Sequence, residues 1–215
     1  MRGLIGSSTW PRLWASRRRP RPKAGQPFVP QTVLVREDAD LALVRHCLQG
    51  HRAAFEQLVL RYQKPVFNVA LRMLRNRDDA MDVAQTTFLK AFEHLPTYDE
   101  NYRFYSWIYR IAVNESLNAL GARKTSASVN GQEPDEAPGP QQQLEGEQTG
   151  RAIEEGLMQI SPELRTVIIL RHFMHLSYED MAGILTLPAK TVKSRLYSAR
   201  QLLREHLVRA RVDLT

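Results

Sequence analysis

From about residue 34 to residue 207, apolar residues recur at three- and four-residue intervals, the period of helices that bury one face. Residues 34–49 place Leu41, Val44 and Leu48 on one side, and Gly50 ends the run. Residues 51–73 carry Phe55, Leu58, Val59, Tyr62, Val66, Phe67 and Ala70 at helical spacing, so Pro65 predicts a kink or a boundary there. A polar break at residues 76–79 opens a third helix with the stripe Ala80, Val83, Ala84, Thr87, Ala91 and Leu95. Asp78, Asp79 and Asp82 crowd its start, where unbonded N–H groups stabilise carboxylates. Gln85 and Phe88 do not fit the buried stripe and suit a partner surface. A fourth helix beginning near Arg103 buries Phe104, Trp107, Ile108, Ile111 and Ala112.

The second half opens with Ile153, Leu157 and Ile160 in phase. Ser161-Pro162-Glu163-Leu164 supplies a cap and a first-turn proline for a helix running through Val167, Ile168 and Phe173. Residues 176–207 then predict a helix, a break and a second helix. Ser177 and Asp180 have capping-box spacing ahead of Met181, Ile184 and Leu185, and Thr186-Leu187-Pro188 interrupts the pattern. Past the break Val192, Leu196, Ala199 and Leu203 form one apolar face, while Lys190, Thr191, Ser194, Tyr197, Ser198 and Gln201 fall elsewhere on the cylinder. This is the geometry of a helix-turn-helix whose second helix enters the major groove. A solvated face of a helical bundle, or a protein-binding hairpin, has the same pattern.

Charge sharpens that choice. Residues 188–211 hold seven Lys or Arg against one acid, Glu205, which suits a polyanion. The chain's net charge of +7 says less about the folded body, because residues 1–30 alone contain seven Lys or Arg and no acid. That basic, proline-rich tail is expected to be disordered and has no apolar run suited to a secretory signal. Residues 121–150 sum to −3, with three prolines and few large apolar residues, and predict a flexible acidic linker between two folded halves.

Chemistry is sparse. No run approaches the ~18 apolar residues of a membrane helix. Cys47 is the only cysteine, which excludes an intramolecular disulfide framework and a cysteine-cluster zinc site. Gly-rich phosphate loops, HExxH and GxSxG are absent, and His172 and His175 lack further ligands nearby in sequence. A nonenzymatic protein without a cofactor is expected. Residues 96–118 concentrate Tyr98, Tyr102, Phe104, Tyr105, Trp107 and Tyr109 with Arg103 and Arg110. Unstacked bases call for that mixture of rings and cations, and an aromatic helical core contains it too.

Four segments in this order, AFEQLVLRY, DDAMDVAQTTFLKAFEHL, RFYSWIYRIAVN and SPELRTVIILRHFMHLSYEDMAGILTLPAKTVKSRLYSARQLL, resemble bacterial RNA polymerase sigma factors of the extracytoplasmic-function, or group four, type of the sigma-70 family. The resemblance covers about residues 36–118 and 151–208. It implies an all-α chain: a tail (1–30), a sigma-two-like domain (31–120), a linker (121–150) and a sigma-four-like helix-turn-helix domain (151–215). By this resemblance Asp79, Asp82, Gln85, Thr86 and Phe88 dock on the clamp helices of the largest polymerase subunit. Residues 96–103, with Tyr98, Asn101 and Arg103, fall where a flipped minus-10 base is captured. Phe104, Trp107, Arg110 and Asn114 fall on the adjoining melting helix, and Lys190, Thr191, Lys193, Ser194, Arg195 and Ser198 on the minus-35 reader. The implied partners are core RNA polymerase, through its largest and second-largest subunits, promoter DNA as duplex and single strand, and an anti-sigma factor. The implied location is cytoplasmic and nucleoid-associated, or at the membrane where such an inhibitor holds the protein. Asn118 and Gly121 stand where the family usually has an acid and an arginine. The basic tail lies outside the family core, and no additional carboxy-terminal domain is expected.

Overall fold

The computed structural model describes residues 31–130 and 146–209; the tail and the middle of the linker lie outside the described residues. Every regular element among the described residues is helical. The first half comprises α1 (Gln31–Leu48), α2 (Arg52–Leu74), α3 (Arg77–His94), a 3-10 turn (Leu95–Thr97) and α4 (Phe104–Asn130). The second comprises α5 (Gly146–Gln159), α6 (Pro162–Ile168), a π-helical turn (Ile169–Phe173), α7 (Tyr178–Leu185) and α8 (Ala189–Arg209). No helix among the described residues is long and apolar enough to cross a membrane.

Local chemistry sets most of these boundaries. Gly50 supplies the positive φ (96°) of the turn between α1 and α2. Asn76 caps α3, its Oδ1 accepting the N–H groups of Asp78 and Asp79 at 2.9 and 3.0 Å, an arrangement that stabilises a helix by roughly 1 kcal/mol. Ser177 caps α7 in the same way: its Oγ accepts the Asp180 N–H at 3.0 Å and donates to the Asp180 carboxylate at 2.6 Å. α7 ends at Thr186 in the left-handed region (φ 55°), and the Leu187 N–H turns back to the Ala182 carbonyl at 3.1 Å. Pro65 interrupts neither α2 nor its burial, since Leu58 and Tyr62 before it and Val66 and Val69 after it all enter the core. That packing outweighs a proline cost of about 3 kcal/mol.

Val44, Leu58, Tyr62, Val66, Met73, Ile108 and Ile111 fill the core of the first half, and Leu157, Val167, Leu170, Met181, Ile184 and Leu196 that of the second. Three boundaries differ from the sequence pattern. α4 continues ten residues beyond residue 120 and α5 starts at Gly146, so both ends of the 121–150 segment are helical. Arg123 gives the α4 extension its anchor, donating to the Leu74 carbonyl at 3.3 Å and pairing with Asp79. Leu48, placed by periodicity on the apolar side of α1, is 47% exposed because the helix ends there. Phe173 belongs to the π-helical turn rather than to a continuous α6.

Asp40 is 2% exposed; it accepts the Tyr62 hydroxyl and pairs with Arg61, fastening α1 to α2. Removing the carboxylate leaves the buried hydroxyl without this acceptor, a loss on the order of 1–3 kcal/mol. Urea unfolding of Asp40→Ala is therefore expected to show that decrease, and an unchanged midpoint would remove this contact from the stability of the first half.

Candidate functional site

Three surfaces gather the residues expected to act. On α8 the apolar residues Val192, Leu196 and Ala199 are buried, and Lys190, Lys193, Ser194, Tyr197 and Ser198 are exposed. Lys190, Ser194 and Ser198 follow each other at four-residue spacing, so they form one row along the open side. Thr191 and Arg195 are half-buried at its margin. The Ser194 hydroxyl donates to the Thr191 carbonyl at 3.0 Å, which leaves its lone pairs to accept from a ligand. Lys193 also braces the fold, since its ammonium lies 5.2 Å from the centre of the Tyr178 ring, with the Arg171 guanidinium 4.9 Å from the same centre. These cation–π contacts tie α7, α8 and the preceding turn together. Tyr197, which its spacing already put off the apolar face, is 67% exposed on the same side one turn beyond Lys193, although the family resemblance gave it no role.

The second surface is the open side of α3. Asp82 and Gln85 are exposed, and Phe88 is half-buried. Asp79 and Thr86 are half-buried nearer α4, and the Asp79 carboxylate is engaged by Arg123. Between and beyond them run Met81, Leu89 and Phe92, exposed by 53%, 58% and 46%. Phe92 meets Phe55 of α2 edge to face at 5.0 Å between centroids. Helical periodicity assigned these positions to the solvent side, where apolar residues carry no special signal one at a time. Together they make an apolar stripe rimmed by Asp82 and Gln85, the composition of a protein-binding surface.

The third is the aromatic segment, and here burial changes the picture. Tyr98, Phe104 and Trp107 are 9%, 3% and 9% exposed, with ring centroids 5.3–5.9 Å apart. They are core residues, and the Tyr98 hydroxyl donates to the Tyr102 carbonyl to shape the loop they support. Tyr102, Arg103, Tyr105 and Arg110 are half-buried, and Asn101 and Asn114 are exposed. Asn101 is fixed by Asp99, whose carboxylate accepts its backbone N–H at 2.9 Å and its side-chain amide at 2.8 Å. Glu100 bonds Arg45 of α1 at 2.6 Å. Arg103, Arg110 and Asn114 lie along one side of α4 and its approach, with burial holding the Arg110 guanidinium below its usual pKa.

Arg103 also reaches the second half of the chain. Its Nη1 donates to the Tyr105 hydroxyl at 2.7 Å and lies 3.6 Å from the Asp180 carboxylate of α7. Burial, followed by the Asp180 charge, pushes the Tyr105 phenol well above its ordinary pKa. His172 accepts a bond from Arg200 Nε at 3.1 Å, and partial burial, then the Arg200 and Arg171 charges, lower its pKa. Among the described residues no group of three His, Cys, Asp or Glu converges as metal ligands would.

Known proteins place these surfaces in context. The Sigma-70 region 2 family matches residues 58–125, and the Sigma-70, region 4 family matches residues 150–203. The RNA polymerase sigma-H factor of Pseudomonas aeruginosa is 31% identical over 182 residues, covering 79% of this chain and 94% of that protein. The ECF RNA polymerase sigma-E factor of Haemophilus influenzae is 32% identical over 176 residues, 76% of this chain and 93% of its own. Among solved structures, the sigma factor RpoE in complex with the anti-sigma factor NepR from Bartonella quintana aligns with a TM-score of 0.64 at 26% identity, covering 74% of this chain and 98% of that one.

Proposed function

We infer from this chain's place among the extracytoplasmic-function RNA polymerase sigma factors of the sigma-70 family, to which it belongs, that its two helical halves read two separate elements of one promoter. As a sigma factor it is a non-catalytic specificity subunit that binds core RNA polymerase and promoter DNA to initiate transcription. In the proposed division of labour, α8 enters the major groove of the minus-35 duplex. Lys190, Thr191 and Ser194 approach base edges there, while Lys193, Arg195 and Ser198 hold the phosphates. Residues 96–103 and the start of α4 engage the minus-10 strand, with Asn101, Arg103, Arg110 and Asn114 as its contacts. Tyr98, Phe104 and Trp107 support that surface from beneath. The α3 side carrying Asp82, Gln85, Phe88 and Leu89 docks on the clamp helices of the largest polymerase subunit.

The observation that carries this reading is the register of α8: an exposed row of Lys190, Ser194 and Ser198 lies opposite buried Val192, Leu196 and Ala199. Groups that approach base edges and groups that hold phosphates have separable effects. Lys190→Ala and Ser194→Ala are expected to relax base preference at one or two minus-35 positions, by about 1–3 kcal/mol for each well-made contact. Arg195→Ala is expected to weaken all sequences alike and flatten the salt dependence. Binding selections from randomised minus-35 duplexes measure both effects, and identical sequence preferences in wild type and Lys190→Ala, Ser194→Ala would remove α8 as the reader.

By analogy with the NepR complex of RpoE from Bartonella quintana, an anti-sigma factor is proposed here, competing with polymerase for the α3 stripe. Capture from cells that returns polymerase and never a dedicated inhibitor would argue against it.

A further inference from the structure

The tail, residues 1–30, has no part in the roles assigned above, yet its composition is specific. It holds seven Lys or Arg and no acid, and two of the chain's three tryptophans, Trp10 and Trp14, with Leu13 between them. Arg17, Arg18 and Arg19 follow directly in sequence after a two-residue step. A cationic arm that only tracks duplex phosphates has no use for large rings, whereas Trp and Arg together are enriched where one protein surface meets another. The open side of α3 presents the matching features. Met81, Leu89 and Phe92 are exposed by 53%, 58% and 46%. Asp82 stands two turns before Leu89 and Glu93 one turn after it, with Asp78 one turn before Asp82, so three exposed carboxylates share the Leu89 side of the helix. Among the described residues none of the three has an ion-pair partner. The cations of the same helix are engaged elsewhere: the Arg77 guanidinium lies 5.7 Å from the centre of the Phe67 ring, and Lys90 pairs with Glu115 of α4 at 2.7 Å.

Reach does not limit a meeting of the two. The tail joins the first half at Gln31, where α1 begins, and residues 15–30 span up to about 50 Å when extended. A domain of about 100 residues has a radius of gyration of only about 13 Å. We propose that residues 10–19 dock on the α3 stripe of their own chain. Trp10, Leu13 and Trp14 cover Met81, Leu89 and Phe92, and the arginines that follow face Asp82 and Glu93. This rests on the reading of α3 as the polymerase-docking surface, which the tail then covers until polymerase displaces it. Tethering supplies an effective concentration on the order of 1 mM. A segment with a dissociation constant on the order of 0.1 mM therefore occupies the stripe in roughly nine molecules of ten and weakens the apparent affinity for polymerase about tenfold.

Docking is read without polymerase from the fluorescence of Trp10 and Trp14 in the full chain carrying Trp107→Phe, set beside a synthetic peptide of residues 1–30. Emission from the chain is expected at shorter wavelength than from the peptide, and adding Leu89→Asp is expected to abolish the difference. Emission that matches the peptide's, or that ignores Leu89→Asp, overturns the docking. Masking is read from the full chain carrying Trp10→Ser, Leu13→Ser and Trp14→Ser, which keeps all seven cations of the tail. Titration against core polymerase is expected to show affinity raised about 3- to 30-fold over wild type. Unchanged affinity overturns the masking. Loss of duplex DNA affinity in that variant, with no gain for polymerase, overturns it too and assigns the rings to DNA. If neither chain has affinity for core polymerase, the proposed function falls instead, and the emission comparison decides the docking by itself.

Discussion

Trp107→Ala is expected to lower the unfolding free energy of the first half by about 3–5 kcal/mol, the usual range for deleting a large buried aromatic. The indole is 9% exposed and packs on Tyr98 at 5.3 Å and Phe104 at 5.6 Å, so its removal opens a cavity where the 96–103 loop meets α4. Domains of this size are stable by only about 5–15 kcal/mol, and such a loss leaves a large unfolded fraction at growth temperature. Urea unfolding followed by circular dichroism measures it directly, with Trp107→Phe expected to retain most of the stability. A loss below about 1 kcal/mol with promoter opening abolished would show that the ring acts on DNA rather than in the core.

Leu89→Asp is expected to have the opposite character, leaving the fold intact and removing polymerase. Leu89 is 58% exposed at the middle of the α3 stripe, between Gln85 and Phe92, so a carboxylate there meets water in the free protein. In the complex it would be buried against an apolar partner without a counter-charge. Truncation or charging at the centre of such an interface costs roughly 2–4 kcal/mol, on the order of 30- to 1,000-fold in affinity. Competition binding against core polymerase, paired with a thermal melt to confirm folding, checks both halves of the expectation. Wild-type affinity in the folded variant would move the docking surface off α3.

The two results divide the residues by what the chain made legible. Ser177 with Asp180 and the Asp-rich start of α3 announce helix starts through local hydrogen bonding, and the structure supplies both caps. Val192, Leu196 and Ala199 are buried as their spacing requires, which left the polar row of α8 facing out. In the aromatic segment, the helix expected from near Arg103 was to bury Phe104, Trp107, Ile108, Ile111 and Ala112, and all five are buried; Tyr98 and Tyr109 join them in the core, and composition alone did not separate those two from Tyr102 and Tyr105, which stay half-buried. The α3 stripe escaped for a related reason: periodicity locates the buried side, and Met81, Leu89 and Phe92 gain meaning only once they lie side by side. Arg165 carried no sequence signal, since its partners are backbone carbonyls brought together by tertiary structure.

Initiation itself tests the central claim most directly. Purified chain is combined with core polymerase and a promoter library, and run-off transcripts are mapped together with permanganate-reactive thymines. The expected result is a transcript from defined start sites that requires both halves of the chain, with thymines exposed at the minus-10 element. A folded chain that joins no polymerase and directs no start site, even while its carboxy-terminal half binds duplex DNA, contradicts it.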